Sequence, residues 1–138
     1  MITVGYTSGV FDLFHVGHLN LLRNARSLCD RLIVGVSTDE LVSYKHKQPV
    51  IPFYERVEIV RACRYVDAVV SQSDLDKVKA LERLQFDVLF VGDDWYGDAS
   101  WEVYERELRR ANVKVVYFPY TTGTSSTLIN ATLKRLRT

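Results

Sequence analysis

Two histidines three residues apart, His15 and His18, stand in the segment Gly9-Val10-Phe11-Asp12-Leu13-Phe14-His15-Val16-Gly17-His18. On the first turn of a helix, positions i and i+3 share a face. The unpaired N–H groups of such a turn and the helix dipole favour an anion. Two imidazoles beside an anion-binding helix start describe a centre that handles phosphate. A histidine pair at this spacing can also hold zinc. The chain supplies only one further histidine, His46, and two cysteines, Cys29 and Cys63, with no CxxC, so no metal site is expected. The turn has neither GxGxxG nor GxxxxGK[ST], which argues against a dinucleotide fingerprint and a P-loop.

Other polar clusters carry chemistry less specifically. Lys45-His46-Lys47 precedes Pro49 and Pro52. Lysines closing a helix are ordinary, but alternating lysines can also clamp two anionic groups. Ser37-Thr38-Asp39-Glu40 reads best as a helix cap, and Asp74 or Asp76 caps a later helix whose Lys77 is unremarkable alone. Arg64, just before an apolar run, can pair with phosphate or pack at a subunit contact. Gly92-Asp93-Asp94-Trp95 is either a turn or, with its flat apolar ring beside acids, a nucleoside contact. Tyr120-Thr121-Thr122-Gly123-Thr124-Ser125-Ser126-Thr127 is rich in hydroxyls. Ser126 or Thr127 can cap the last helix, and the same loop can cradle phosphate.

These clusters share a position in the chain, at the ends of apolar β-rich runs. The runs are Ile2–Tyr6, Arg31–Ser37, Asp67–Ser71, Val88–Gly92 and Val113–Phe118. Helical patterns lie between and after them, at Gly17–Cys29, Thr38–Lys45, Phe53–Cys63, Asp74–Leu84, Ser100–Ala111 and Thr127–Leu136. Leu32-Ile33-Val34-Gly35-Val36 and Val88-Leu89-Phe90-Val91 are continuous rather than alternating, the mark of strands buried on both faces of a parallel sheet. Alternation of this kind predicts an α/β, doubly wound, Rossmann-like sheet, which binds ligands beyond the carboxyl ends of its strands.

The bulk properties set the outer limits. A chain of 138 residues is expected to form one domain over 1–138, and its 47% hydrophobic content can fill a core. A net charge of +1 gives no argument for nucleic acid or an anionic membrane as partner. No signal peptide or apolar run of membrane-spanning length is visible, and separate cysteines fit a reducing, cytoplasmic setting.

Taken together, Gly9-Val10-Phe11-Asp12 with His15-Val16-Gly17-His18, Ser37–Glu40, Lys45 and Lys47, Arg64-Tyr65-Val66-Asp67, Gly92–Trp95 and Gly123–Thr127 resemble the small cytidylyltransferases of the nucleotidyltransferase α/β-phosphodiesterase superfamily. The resemblance covers nearly the whole chain. It implies a five-stranded parallel sheet of order 3-2-1-4-5 flanked by helices, and a homodimer. It implies transfer of CMP from CTP, with Mg²⁺, to a small phosphorylated alcohol, glycerol 3-phosphate foremost, with release of pyrophosphate. It assigns His15, His18 and Lys47 to catalysis. It assigns Val10, Phe11, Gly17, Arg64, Asp94, Trp95, Tyr120, Thr121, Gly123, Thr124, Ser125, Ser126 and Thr127 to the nucleotide, and Lys45 and Lys77 to the acceptor phosphate. Two positions depart from the family pattern: Val10 stands where threonine is usual and Tyr120 where arginine is usual. The segment from Tyr96 to Glu107 is also longer. An adenylyltransferase, another phosphorylated acceptor, or a nucleotide-binding module without catalysis are the alternatives.

Overall fold

A computed structural model describes residues 1–43, 48–92, 99–119 and 126–137, with side chains left aside at 126–128, 130 and 137. Five strands form one parallel sheet: β1 (Val4–Gly9), β2 (Arg31–Ser37), β3 (Ala68–Gln72), β4 (Val88–Gly92) and β5 (Lys114–Phe118). Their order is β3-β2-β1-β4-β5, as the family resemblance implies. Between and after them run α1 (Val16–Ser27), α2 (Asp39–Ser43), α3 (Phe53–Ala62), α4 (Lys77–Leu84), α5 (Ala99–Arg110) and α6 (Ser126–Arg137). Among the described residues, no helix is long and apolar enough to cross a membrane.

The continuous apolar runs do bury both sheet faces. On one side Leu32, Val34 and Val36 of β2 join Phe90 of β4, Leu22 and Ala25 of α1, and Val60 of α3. On the other, Ile33 and Leu89 join Tyr6, Phe86, Trp101 and Leu108. Each fully buried Leu or Val contributes roughly 1.5–3 kcal/mol over its exposed state. These layers make the sheet a rigid floor for whatever projects from its carboxyl edge.

The opposite, amino edge is tied by a repeated aspartate. Asp30, before β2, accepts from Thr3 N at 2.7 Å, and Asp87, before β4, accepts from Val4 N at 2.8 Å. Asp67, before β3, accepts from Leu32 N at 2.8 Å. Each carboxylate binds an N–H at the start of the neighbouring strand, so the register of β1 and β2 is anchored at one end. The polar residues at the other end are left for chemistry.

The first strand differs from its expected bounds. It begins at Val4 rather than Ile2 and continues through Thr7, Ser8 and Gly9. Thr7 and Ser8 read as loop by polarity, but Thr7 is buried and its hydroxyl donates to the Phe90 carbonyl at 3.0 Å. A central strand satisfies a hydroxyl against its neighbour's backbone, which composition alone does not reveal. The helix α4 is also shorter than expected, because Asp76 is its cap, accepting from Val78 N and Lys79 N. The cap expected at Ser37 or Thr38 is Thr38, whose hydroxyl accepts from Leu41 N at 3.2 Å.

Gly35 is required by close approach. A Cβ there would lie 2.2 Å from the Tyr6 hydroxyl oxygen and 3.0 Å from its ring carbon Cζ. Gly35→Ala is therefore expected to lower stability by about 1–3 kcal/mol through overpacking. Adding Tyr6→Phe should recover part of that loss by removing the nearest atom. Urea unfolding of both variants is the measurement. A neutral Gly35→Ala, or no recovery in the double variant, would contradict this packing.

Candidate functional site

The loop from β1 to α1 turns on two non-glycine residues in the left-handed region, Phe11 at φ 55° and Leu13 at φ 50°. Such conformations are costly and persist where surroundings over-determine them. Here the surroundings are identifiable. The Phe11 side chain is buried in the core. The Asp12 carboxylate accepts from Val50 N and Ile51 N, both at 2.9 Å. The Val10 carbonyl accepts from Arg56 Nη1 at 2.8 Å.

Arg56 is the centre of this arrangement. It is fully buried, at 0% exposure. Its Nε donates to Ile51 O at 2.8 Å, and its Nη1 donates also to Ser37 O at 2.7 Å. Its Nη2 pairs with Asp39 Oδ1 at 2.5 Å, and Asp39 Oδ2 accepts from Phe53 N at 3.2 Å. One guanidinium thus joins the histidine loop, the carboxyl end of β2, the start of α2 and the loop that enters α3. Sequence reasoning passed over both Arg56 and Asp12. A signal existed for Arg56: it lies on the apolar stripe of α3 with Phe53 and Val60, three before and four after it.

His15 and His18 come together as the spacing predicts. His15 is the N-cap of α1, and the two residues form a reciprocal capping box. Gly17 N donates to His15 Nδ1 at 3.0 Å, and His15 N donates to His18 Nδ1 at 3.3 Å. Because each Nδ1 accepts, each Nε2 carries the proton, an assignment that follows from the hydrogen-bond network. The rings stack with centroids 4.0 Å apart, and His18 also lies against Phe11 and Phe14, each at 5.3 Å. Burial, then the neighbouring His15, hold the His18 pKa down at about 4, with Asp12 acting in the opposite direction. Burial lowers His15 as well. The pair is therefore neutral at pH 7, two Nε2–H donors rather than two cations. A polyanion alongside would favour the charged form and move both pKa values back up.

Lys77 is 8% exposed at the start of α4. Its Nζ donates to Ser8 Oγ at 2.5 Å and to Gln72 Oε1 at 2.8 Å. Gln72 Nε2 donates in turn to Ser37 Oγ at 3.0 Å. These groups span the carboxyl ends of β1, β2 and β3, inside a cavity of about 450 Å³ that also takes in Val10, Leu75, Trp101 and Tyr104. Gln72 and Ser8 were not singled out from sequence, and their pattern there carries no signal.

The other expected site residues fall in several places. Phe11 contributes its side chain to the core, and the Gly17 N–H is engaged by His15. Arg64 is exposed; its Nη2 donates to the Tyr65 hydroxyl at 3.0 Å. It lines a different cavity, of about 430 Å³, with Phe14, Arg23, Ile59 and Cys63. Arg64 and Lys77 are therefore not brought to one pocket, although Phe14 links the Arg64 cavity to His18. Lys45, Lys47, Asp94, Trp95, Tyr120, Thr121, Gly123, Thr124 and Ser125 lie outside the described residues. Ser126 and Thr127 form the start of α6 in backbone. Among the described residues, no cluster of three or more His, Cys, Asp or Glu side chains could hold a metal ion.

Two outcomes follow from this geometry. Arg56→Met leaves the carbonyls of Val10, Ser37 and Ile51 and the Asp39 carboxylate without their donor, so it should cost about 3–5 kcal/mol. Asp39→Asn should cost less, about 1–2 kcal/mol, because the amide oxygen can still accept from Arg56 Nη2 and the Asp39 side chain is 46% exposed. Equal losses in denaturant unfolding would contradict Arg56 as the hub. For His18, the folded pKa lies below the unfolded value of about 6.5. The unfolded chain then binds the extra proton between those values. Its contribution, roughly 3 kcal/mol, is present above pH 6.5 and lost as pH falls toward 4. Nitrogen-15 NMR of the imidazoles should show a neutral Nε2–H form of His18 at pH 6. A charged ring at that pH would overturn the assignment.

The cytidylyltransferase-like family model matches residues 6–135. Among curated relatives, the glycerol-3-phosphate cytidylyltransferase of Staphylococcus aureus is 36% identical over 128 residues, covering 92% of each chain. The enzyme of the same name from Bacillus subtilis is 36% identical over 124 residues, 89% of this chain and 91% of that one. An FAD synthase of Thermococcus kodakarensis is 37% identical over 116 residues, 81% of this chain and 76% of its own. Among solved structures, a lipopolysaccharide core biosynthesis protein from Thermoplasma volcanium superposes with a TM-score of 0.74 at 22% identity, covering 90% of this chain and all of that one. That likeness bears on the fold, and the first three on descent. A sheet of this order, with a histidine pair capping the first helix, and kinship along nearly the whole length place the chain in the cytidylyltransferase-like family of nucleotidyltransferases.

Proposed function

We propose that the chain transfers CMP from CTP to a small phosphorylated alcohol, with glycerol 3-phosphate the first acceptor to test. The observation that carries this reading is the histidine pair, held neutral with Nε2–H on each ring at the start of α1. In the proposed step an acceptor phosphate oxygen attacks the α-phosphorus of CTP. A new P–O bond forms, and the bond from the α-phosphorus to the bridging oxygen breaks. That oxygen leaves with the electron pair as part of pyrophosphate. The acceptor phosphate is already anionic, so no side chain need remove a proton or form a covalent intermediate.

The chain's task is then positional and electrostatic. His15 and His18 donate to oxygens whose charge grows as pyrophosphate departs. Lys47 joins them at the phosphates. Asp94, Trp95, Arg64 and the Tyr120–Thr127 loop hold the nucleotide. Lys45 and Lys77 meet the acceptor. Mg²⁺ fits as a companion of the triphosphate, since it prefers phosphate oxygens, water and one or two carboxylates to a full protein cage. When bound, it neutralises phosphate charge. Assembly as a homodimer belongs to the same proposal and is read by analytical ultracentrifugation.

Adenylyl transfer is the second reading, and the likeness to FAD synthases favours keeping it. Pyrophosphate release measured with CTP and with ATP, each with glycerol 3-phosphate, separates the two. His18→Ala should lower turnover at least about a hundredfold, the effect of losing one well-placed donor, while the circular dichroism spectrum is kept. Near-normal kcat in that folded variant would remove His18 from catalysis. Absence of transfer from either nucleotide across phosphorylated acceptors would remove the enzymatic reading.

A further inference from the structure

Each imidazole of the histidine pair has one nitrogen lone pair in the ring plane, and both are already spent. In His15 it accepts from Gly17 N at 3.0 Å, and in His18 from His15 N at 3.3 Å. A neutral imidazole takes its second proton on that same nitrogen. A ring of this pair therefore cannot be a cap and a cation at once: to gain a proton it must give up an N–H of α1. Burial sets which ring gives way first. His18 is the more buried, against Phe11 and Phe14, and His15 the less. With ring centroids 4.0 Å apart, a first cation opposes a second. The pair accordingly takes one proton, on His15. Among the described residues, the acid that acts on the pair is Asp12, and the first turn of α1 has none. The Asp12 carboxylate also holds Val50 N and Ile51 N, and Phe11 is fixed in the core, so the turn is pinned and the movement falls to the His15 ring.

We propose that His15 is a proton-gated cap: when a nucleoside triphosphate binds at the pair, His15 Nδ1 takes a proton from water and lets go of the Gly17 N–H, which passes to a phosphate oxygen. This rests on the nucleotide reading above and deepens it, because it lets Gly17, whose N–H is engaged by His15, serve the nucleotide as well. The exchange balances. The Gly17 N–H trades a ring nitrogen for an anionic oxygen, a stronger acceptor. His15 gains its charge beside an anion and keeps Nε2–H as a donor. His18 stays a neutral donor and keeps the His15 N–H. Protonation with no anion at hand strands the Gly17 N–H, which is costly. Acid alone therefore opens the cap only at a lower pH than the nucleotide does.

The cap is read directly by NMR. Nitrogen-15 coupling across the hydrogen bond from Gly17 N–H to His15 Nδ1 should be present at pH 7 and vanish with saturating CTP, as Nδ1 acquires its proton. Without nucleotide, loss of coupling and protonation of Nδ1 should share one midpoint at lower pH. Calorimetry in two buffers of different ionisation heat gives the protons taken up as CTP binds. Wild type should take up more than His15→Asn, whose side-chain oxygen can still cap α1 but cannot titrate. The difference, up to about one proton per site, is free of the titration of CTP itself. Coupling that persists with CTP bound, or equal proton uptake by wild type and folded His15→Asn, overturns the proposal. The pyrophosphate assay is read separately. If the cap opens with CTP but no phosphorylated acceptor supports pyrophosphate release, the enzymatic reading falls and the proton gate stands. If transfer proceeds while the coupling persists, the gate falls and the enzymatic reading stands. If neither CTP nor ATP alters either ring, both fall.

Discussion

The buried guanidinium of Arg56 is the interaction on which the arrangement of the site depends. Five donors in a rigid fork can satisfy acceptors in several directions at once, which a lysine cannot do. Here the fork binds carbonyls of Val10, Ser37 and Ile51 and the carboxylate of Asp39. These come from the ends of the paired strands β1 and β2, the start of α2 and the loop that enters α3. A charge taken wholly out of water is expensive unless its partners are complete. That expense makes the arrangement specific: moving any of the segments would strand the charge. The left-handed turn at Phe11 and Leu13 is held in place by that constraint and by Asp12.

The consequence reaches the histidines through the loop. A helix N-terminus supplies N–H groups to an anion, but here α1 uses its N-cap to hold imidazoles instead. Gly17 N–H binds His15, and the His15 backbone N–H binds His18. The backbone charge that would have faced a ligand directly is relayed to the ring nitrogens farther out. Burial then keeps the rings neutral, so they act as donors without the desolvation cost of two cations. As negative charge accumulates nearby, the rings can take up that charge as a shift toward the protonated form. In the transfer proposed above, such a donor meets the charge that grows on the departing pyrophosphate.

The sheet divides its labour by edge. At the amino edge, Asp30, Asp67 and Asp87 close the open N–H groups of adjacent strands. At the carboxyl edge, Ser8, Ser37 and Gln72 surround a lysine drawn from the following helix. Parallel strands place all their carboxyl ends on one side, so polar residues distant in sequence gather there without further instruction.

Much of this was legible in the chain. Continuous apolar runs alternating with helical patterns specify a parallel sheet, because only a strand covered on both faces needs no polar side. The histidine spacing on a helix start specified a shared face, because helical geometry is local. Caps such as Thr38 and Asp76 follow from the same local rules. The carboxyl half of β1 was not legible: Thr7 and Ser8 are polar, and only the neighbouring β4 supplies the carbonyl that lets Thr7 be buried. Arg56 was not legible as a hub, since its partners lie between 5 and 46 positions away in the chain. Lys77 looked like an ordinary helix-start lysine, and only the juxtaposition of three strand ends buries it. Local hydrogen bonding and periodicity determined the elements and the histidine pair. The burial of Arg56 and Lys77 was decided by tertiary structure, because a charge can leave water only where distant segments together replace the hydrogen bonds that water had made.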